Sequence, residues 1–175
     1  LKGKKAEPEL IFTGHLDTVP VGTVQWEHDP FAFDIVDGIV YGRGVADMKS
    51  GDAAALYAMI MMKRNGIVPE NDVVFLGTVG EETMDIGSTH FRQQGGMDKC
   101  GALVVCEPSG VQLYTAHKGA VWVTVEFFGK TSHGSMPELG VNALLHMAKF
   151  INIIQKQPFD IKPDPELGMP TLSIN

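Results

Sequence analysis

A chain of 175 residues with a 44% apolar share is long enough to bury a core, as one ordinary domain or two small ones. Its net charge of −7, with no basic cluster to neutralise phosphates, excludes a general nucleic-acid binder. No apolar run approaches the ~20 residues that span a bilayer, and no signal peptide is present, so no membrane partner is expected.

The chain opens at Leu1 without a Met and meets its first apolar run at residues 10–14, which leads into His15-Leu16-Asp17. A Gly-rich connection, residues 41–47, places Asp47 just before a helix predicted over residues 51–64. Ser50 or Asp52 is expected near its cap and Asn65-Gly66 at its stop, with Leu56, Met59 and Ile60 turned to a sheet. A second apolar run, 72–80, leads into Glu81-Glu82, and a shorter helix is predicted over 86–94. The third run, 102–106, leads into Glu107. Short runs of Val, Ile, Leu and Phe separated by helical stretches read as buried parallel strands, hence an α/β unit over residues 1–114. Cys100 and Cys106 flank the third run at a spacing that matches no common zinc motif, so both read as reduced core or edge residues. That usage fits a reducing compartment and a cytoplasmic location.

After Ala116 the pattern changes. Val121, Val123, Val125 and Phe127 alternate with Trp122, Thr124, Glu126 and Phe128, the period of a strand with one wetter face. A Gly-rich loop over 129–140, a helix over 141–155, a Pro-punctuated connection and a last strand over 171–175 follow. Residues 115–175 therefore read as the first half of a small α+β sandwich. The last strand has no partner after it, and the chain is read as a fragment.

In open α/β sheets, ligands bind beyond the carboxyl ends of the strands. Three strands here would deliver a His, a Glu pair and a Glu to one edge, with Asp47 beside them. A lone Glu-Glu before a helix is ordinarily charge placed at a helix N-terminus, but the four elements together point to a metal centre. A catalytic zinc takes about three protein ligands, and two zincs about 3.5–4 Å apart share a bridging carboxylate. If Asp47 bridges, then His15, Asp47 and Glu107 complete one site, and Asp47 with Glu82 leaves the second one ligand short. Adjacent residues leaving a strand point in different directions, so one of Glu81 and Glu82 binds metal and the other faces the attacking water as general base. Asp17 is placed to accept a hydrogen bond from the imidazole nitrogen of His15 that does not touch metal. Zinc and cobalt both suit such N/O ligands. Gly129-Lys130-Thr131 lacks the earlier Gly of a phosphate-binding loop, Thr124 standing there, and neither His-Glu-x-x-His nor Gly-x-Ser-x-Gly occurs.

The motifs Gly14-His15-Leu16-Asp17-Thr18-Val19-Pro20, Trp26 with Asp29-Pro30-Phe31, the run from Tyr41 to Lys49, and Gly80-Glu81-Glu82 together resemble the zinc-dependent aminoacylase and exopeptidase family. That family holds acetylornithine deacetylase, succinyl-diaminopimelate desuccinylase, aminoacylases and bacterial glutamate carboxypeptidase. The resemblance covers nearly the whole chain. It implies a three-layer αβα catalytic domain, partial here, followed from about Thr115 by part of a ferredoxin-like lid that makes a homodimer. It implies His15 and Glu107 on one metal, Asp47 bridging, Glu82 on the other and Glu81 as general base, with two zinc or cobalt ions as cofactors. The family's last ligand, a His near the C-terminus of the catalytic domain, is lacking here; His28, His90, His117 and His146 do not replace it. Gly129-Lys130-Thr131-Ser132-His133-Gly134-Ser135 resembles the lid motif whose His reaches the partner subunit's active site and holds the oxyanion. Glu rather than Asp at position 107 resembles the deacylase and carboxypeptidase branches. The expected substrate is a small N-acylated amino acid, with a dipeptide or a folate-like glutamate conjugate as the alternative. A further reading is that the 175 residues alone fold and dimerise without catalysis.

Overall fold

Eleven residues, Lys5–His15, form β1, the centre of a three-stranded parallel sheet. In the computed structural model, which describes residues 1–156 and 159–174, its neighbours are β4 (Asn71–Thr78) and β5 (Cys100–Val105), in the order β4-β1-β5. Ile11 pairs with Val74 on one side and Leu103 on the other, and His15 stands opposite Thr78. The register slips just before Leu10 on both sides, beside Pro8, which lacks the N–H a ladder needs. The chain divides into two compact units, Leu1–Gln112 and Leu113–Asn175.

Between β1 and β4 lie a short hairpin and the first helix. The hairpin, β2 (Asp34–Val36) with β3 (Ile39–Tyr41), was missed by the periodicity reading. Its signal is Asp37-Gly38 between apolar pairs, and both residues take positive φ, 50° and 80°, as a type I′ turn demands. An irregular helical turn, Val45–Lys49, in which Asp47 and Met48 leave helical angles, feeds α1 (Ser50–Arg64). The N–H of Gly66 bonds to the Lys63 carbonyl and that of Ile67 to the Met62 carbonyl. This paired closure ends the helix at the expected Asn65-Gly66 stop. α2 (Ile86–Gln93) follows β4.

α1 packs on β1 and β4 through the stripe Asp52, Ala55, Met59 and Met62, while Leu56 and Ile60 are exposed. The expected inward face is therefore corrected by one position: only Met59 of the three expected residues turns inward. Among the described residues the buried apolar core is Ile11, Met48, Ala55 and Val73, Ile11 alone contributing about 1.5–3 kcal/mol of transfer free energy. β5 differs from the buried strand expected of it. Leu103, Val104 and Val105 are exposed, because the helix that covers the sheet, α1, packs chiefly on β1 and β4 and leaves the faces of β5 open among the described residues.

The second unit carries α3 (Ala143–Lys156), after a single turn at Pro137–Leu139. Isolated bridges join Lys130 to Val141 and Asp164 to Gly168, and the rings of Phe127 and Phe150 meet at 5.5 Å. The strands expected over 121–128 and 171–175 do not form among the described residues; residue 175, and 157–158 in the Pro-punctuated connection, lie outside these. Alternation supplies two faces, but a strand exists only with a hydrogen-bonded neighbour. Among the described residues no helix is long and apolar enough to cross a membrane.

Candidate metal centre

The parallel register brings three chain segments to one end of the sheet. His15 closes β1, Glu81 and Glu82 lie just past β4, and Glu107 lies two residues past β5. Asp47 comes from the irregular turn before α1. The ring of His15 is 2% exposed. Its Nε2 lies 3.0 Å from Asp47 Oδ1, 3.7 Å from Glu107 Oε1 and 3.8 Å from Glu81 Oε2. One ligand atom each from His15, Asp47 and Glu82 fall within 4.8 Å of one another. The imidazole and the four acids singled out from the sequence thus share one cleft.

The tautomer of His15 follows from its other nitrogen. Nδ1 lies 2.9 Å from the backbone carbonyl of Asp17, which only accepts, so Nδ1 carries the proton. Neutral His15 then turns a lone pair toward a carboxylate oxygen 3.0 Å away. Two acceptors at that separation require a proton or a metal ion between them. Burial works to lower the pKa of His15, but the bonds to Asp17 and Asp47 and the charges of Glu107 and Glu81 carry it above its ordinary value. Desolvation raises Glu81 and Glu107; His15 opposes, and the neighbouring acids add to the rise. The donors crowd negative charge around one imidazole, and a divalent cation relieves that crowding. The residues fit a metal.

Asp17 differs from the expectation. Its carboxylate stands 3.7 Å from Nδ1, and the ring is held instead by its carbonyl. The carboxylate accepts the backbone N–H of Gly80 at 2.8 Å, Glu81 at 3.3 Å and Glu82 at 3.2 Å. Desolvation pushes the Asp17 carboxyl up, and these donors outweigh it, holding the carboxyl below its usual range. One residue therefore fixes both the His15 ring and the Glu81-Glu82 turn. Lys49 Nζ donates to the Leu16 carbonyl at 2.8 Å, tying the same loop to the Asp47 segment.

Asp52 is a correction of a different kind. It forms no cap; it is 5% exposed, and neither of its carboxylate oxygens has a hydrogen-bond partner among the described residues. It packs against Gly14 and beside Met48, whose Sδ accepts the His15 backbone N–H. Burial raises its pKa, opposed by the charges of His15 and Lys49. The available signal was its place on the inward stripe of α1.

His133 belongs to the second unit and stands exposed on a turn. His28 is engaged elsewhere, stacked on Tyr41 at 4.1 Å and 3.3 Å from Asp34. Cys100 and Cys106 are free and half-buried.

Residues 11–168 match the profile of Peptidase family M20/M25/M40. A Staphylococcus epidermidis protein named "Probable succinyl-diaminopimelate desuccinylase" is 36% identical over 156 residues, 89% of this chain and 38% of that protein. A Staphylococcus aureus (strain MSSA476) protein of the same name is 33% identical over the same coverage. The Escherichia coli K12 protein YgeY, named as uncharacterized, is 30% identical over 171 residues, 96% of this chain and 42% of that protein. The chain thus spans about two fifths of the length of these relatives.

Proposed function

The chain belongs to peptidase family M20/M25/M40, and on that footing we propose that it carries the metal-binding part of a hydrolase cleaving the amide of a small N-acylated amino acid. The desuccinylase and deacetylase type is the reading favoured, supported by the names of the Staphylococcus relatives. The observation that carries it is the His15 ring, set 3.0–3.8 Å from Asp47, Glu107 and Glu81. Residues 1–114 belong to a three-layer catalytic domain and 115–175 to a lid that forms a homodimer.

His15 and Glu107 would hold one divalent ion and Glu82 another, with Asp47 between them; zinc or cobalt suits these donors. Such ions supply Lewis acidity, lowering the pKa of a water toward about 7 and polarising the scissile carbonyl. Glu81 takes the proton of the attacking water as general base and returns it to the leaving amine as general acid. Asp17 holds the turn that aims Glu81. His133 of a partner chain donates to the oxyanion.

The test is a substrate panel on the full-length protein, containing N-succinyl and N-acetyl amino acids, dipeptides and glutamate conjugates. Turnover of an N-acyl amino acid is expected, and cleavage of dipeptides alone would overturn the preference for acyl groups. In the same protein Glu81→Ala lowers kcat by about 10²–10⁴-fold with metal content near normal. Retained activity would remove Glu81 from the base role.

A further inference from the structure

The described histidines divide by what their Nδ1 atoms meet. In His15 and His117 the partner is a carbonyl, of Asp17 at 2.9 Å and of Lys118 at 3.1 Å. A carbonyl only accepts, so both rings carry their proton on Nδ1. His133 is the reverse. Its Nδ1 accepts the backbone N–H of Ser135 at 3.2 Å, and a backbone N–H only donates. The same Nδ1 lies 2.8 Å from Ser135 Oγ. A hydroxyl donates or accepts as its neighbour demands, and with the backbone N–H already aimed at Nδ1, it donates as well. The turn is closed by the N–H of Met136 on the His133 carbonyl at 2.9 Å, so ring and Ser135 are held on one four-residue turn. Nε2 of His133 has no partner among the described residues.

We propose that Ser135 is a positioning residue that fixes His133 in the tautomer protonated at Nε2, so that the exposed turn presents one N–H donor and no imidazole lone pair. A proton on Nδ1 instead would point at the Ser135 backbone N–H and forfeit that bond, leaving only the hydroxyl, which would turn round to accept, the costlier arrangement. The consequence is chemical. A ring locked in this way donates to a negatively charged or carbonyl oxygen and is unsuited to binding a metal through Nε2. It is the opposite of His15, whose free nitrogen is a ligand. This deepens the oxyanion role given to His133 above and rests on that reading for its catalytic meaning, but the tautomer itself is independent of it.

The experiment uses the 175-residue chain labelled with ¹⁵N-histidine, read by long-range ¹H–¹⁵N correlation above the imidazole titration. Water alone mildly favours Nε2–H, so the comparison is with His146, an exposed ring with no partner among the described residues. His133 is expected to show an unprotonated Nδ1 and a protonated Nε2 more completely than His146, and His117 the reverse pattern. Ser135→Ala keeps the backbone N–H that selects the tautomer but removes the hydroxyl that holds the ring against it, so His133 moves part of the way toward the His146 ratio; Ser135→Thr restores it. A protonated Nδ1 at His133, or a wild-type ratio equal to that of His146, overturns the proposal whether or not the variants fold. In the full-length protein, Ser135→Ala lowers kcat several-fold with KM unchanged and Ser135→Thr recovers it. If the tautomer is as stated but His133→Ala leaves kcat intact, the oxyanion reading falls and the lock stands.

Discussion

Asp17 acts through both ends of a single residue, its carbonyl on the His15 ring and its carboxylate on three amides past β4. Asp17→Ala leaves those amides without an acceptor, and urea unfolding is expected to show a loss of about 1–3 kcal/mol. Amide exchange at Gly80, Glu81 and Glu82 should quicken with it; unchanged exchange would show that the carboxylate does not hold the turn. Asp52 works in the opposite sense. Its native pKa is raised by burial above the ~3.9 of an unfolded Asp. Below that value both states are protonated and nothing is lost. As pH rises toward the native pKa, the unfolded chain sheds the proton first, so stability falls, and the penalty is complete above it. In the metal-free chain, Asp52→Asn is expected to raise the melting temperature at pH 7 by several degrees, with the gain closing near pH 4. An undiminished gain at pH 4 would exclude an ionised Asp52 as its source. The residues gathered around His15 were legible because His15, the Glu81-Glu82 pair and Glu107 each end an apolar run, while Asp47 ends a Gly-rich connection just before a helix. The split role of Asp17 was not, since it depends on how a loop turns back on β4. Asp52 was misread because an acid in a first helical turn suggests a cap by composition alone, whereas the stripe it shares with Ala55 and Met59 already assigns it to the sheet face.

At the scale of elements, β4, β5 and the three helices were readable to within two residues because period and breakers agreed, whereas β1 begins five residues before its apolar run, in the polar stretch over residues 5–9. The alternating segment 121–128 had the period and not the partner, and pairing is a property that one segment cannot encode by itself. The β2–β3 hairpin was the converse, a turn dipeptide strong enough to find but between runs too short to register as periodic. The junction of α1 with β5 makes a sharper prediction. A Cβ placed on Gly51 would collide with the backbone carbonyl of Cys106, which cannot rotate away. Gly51→Ala therefore forces the start of α1 off the end of β5 at a cost of about 1–3 kcal/mol. Because the same shift separates Asp47 from Glu107, zinc affinity should fall alongside the denaturation midpoint. Full affinity in a folded Gly51→Ala chain would show that the junction does not set the site.

For the whole molecule, the proposed cation site ties binding to folding. Its candidate ligands come from four separate segments, so the unfolded chain offers no equivalent site, and an ion that binds only the native state would stabilise it by about 2.7 kcal/mol at a hundredfold excess over its Kd. Zinc titration should raise the melting temperature of the chain in a concentration-dependent manner, and a chelator should reverse it. Magnesium, which prefers an octahedral shell of oxygen donors, should have little effect on a site with an imidazole at its centre. An equal response to both ions would mean generic charge screening.

The order β4-β1-β5 places the earliest of these three strands in the middle of the sheet. During synthesis β1 emerges with neither neighbour available, and Glu107 follows only after both flanking strands have been translated. A cation held by His15, Asp47, Glu82 and Glu107 would bind last, as a seal on pairings already made. Contacts between such distant stretches close slowly, so β1 waits, apolar and single, for most of that interval. A chaperone that shields the extended β1 segment until β4 and β5 emerge would act on the strand of this sheet that stays unpaired longest.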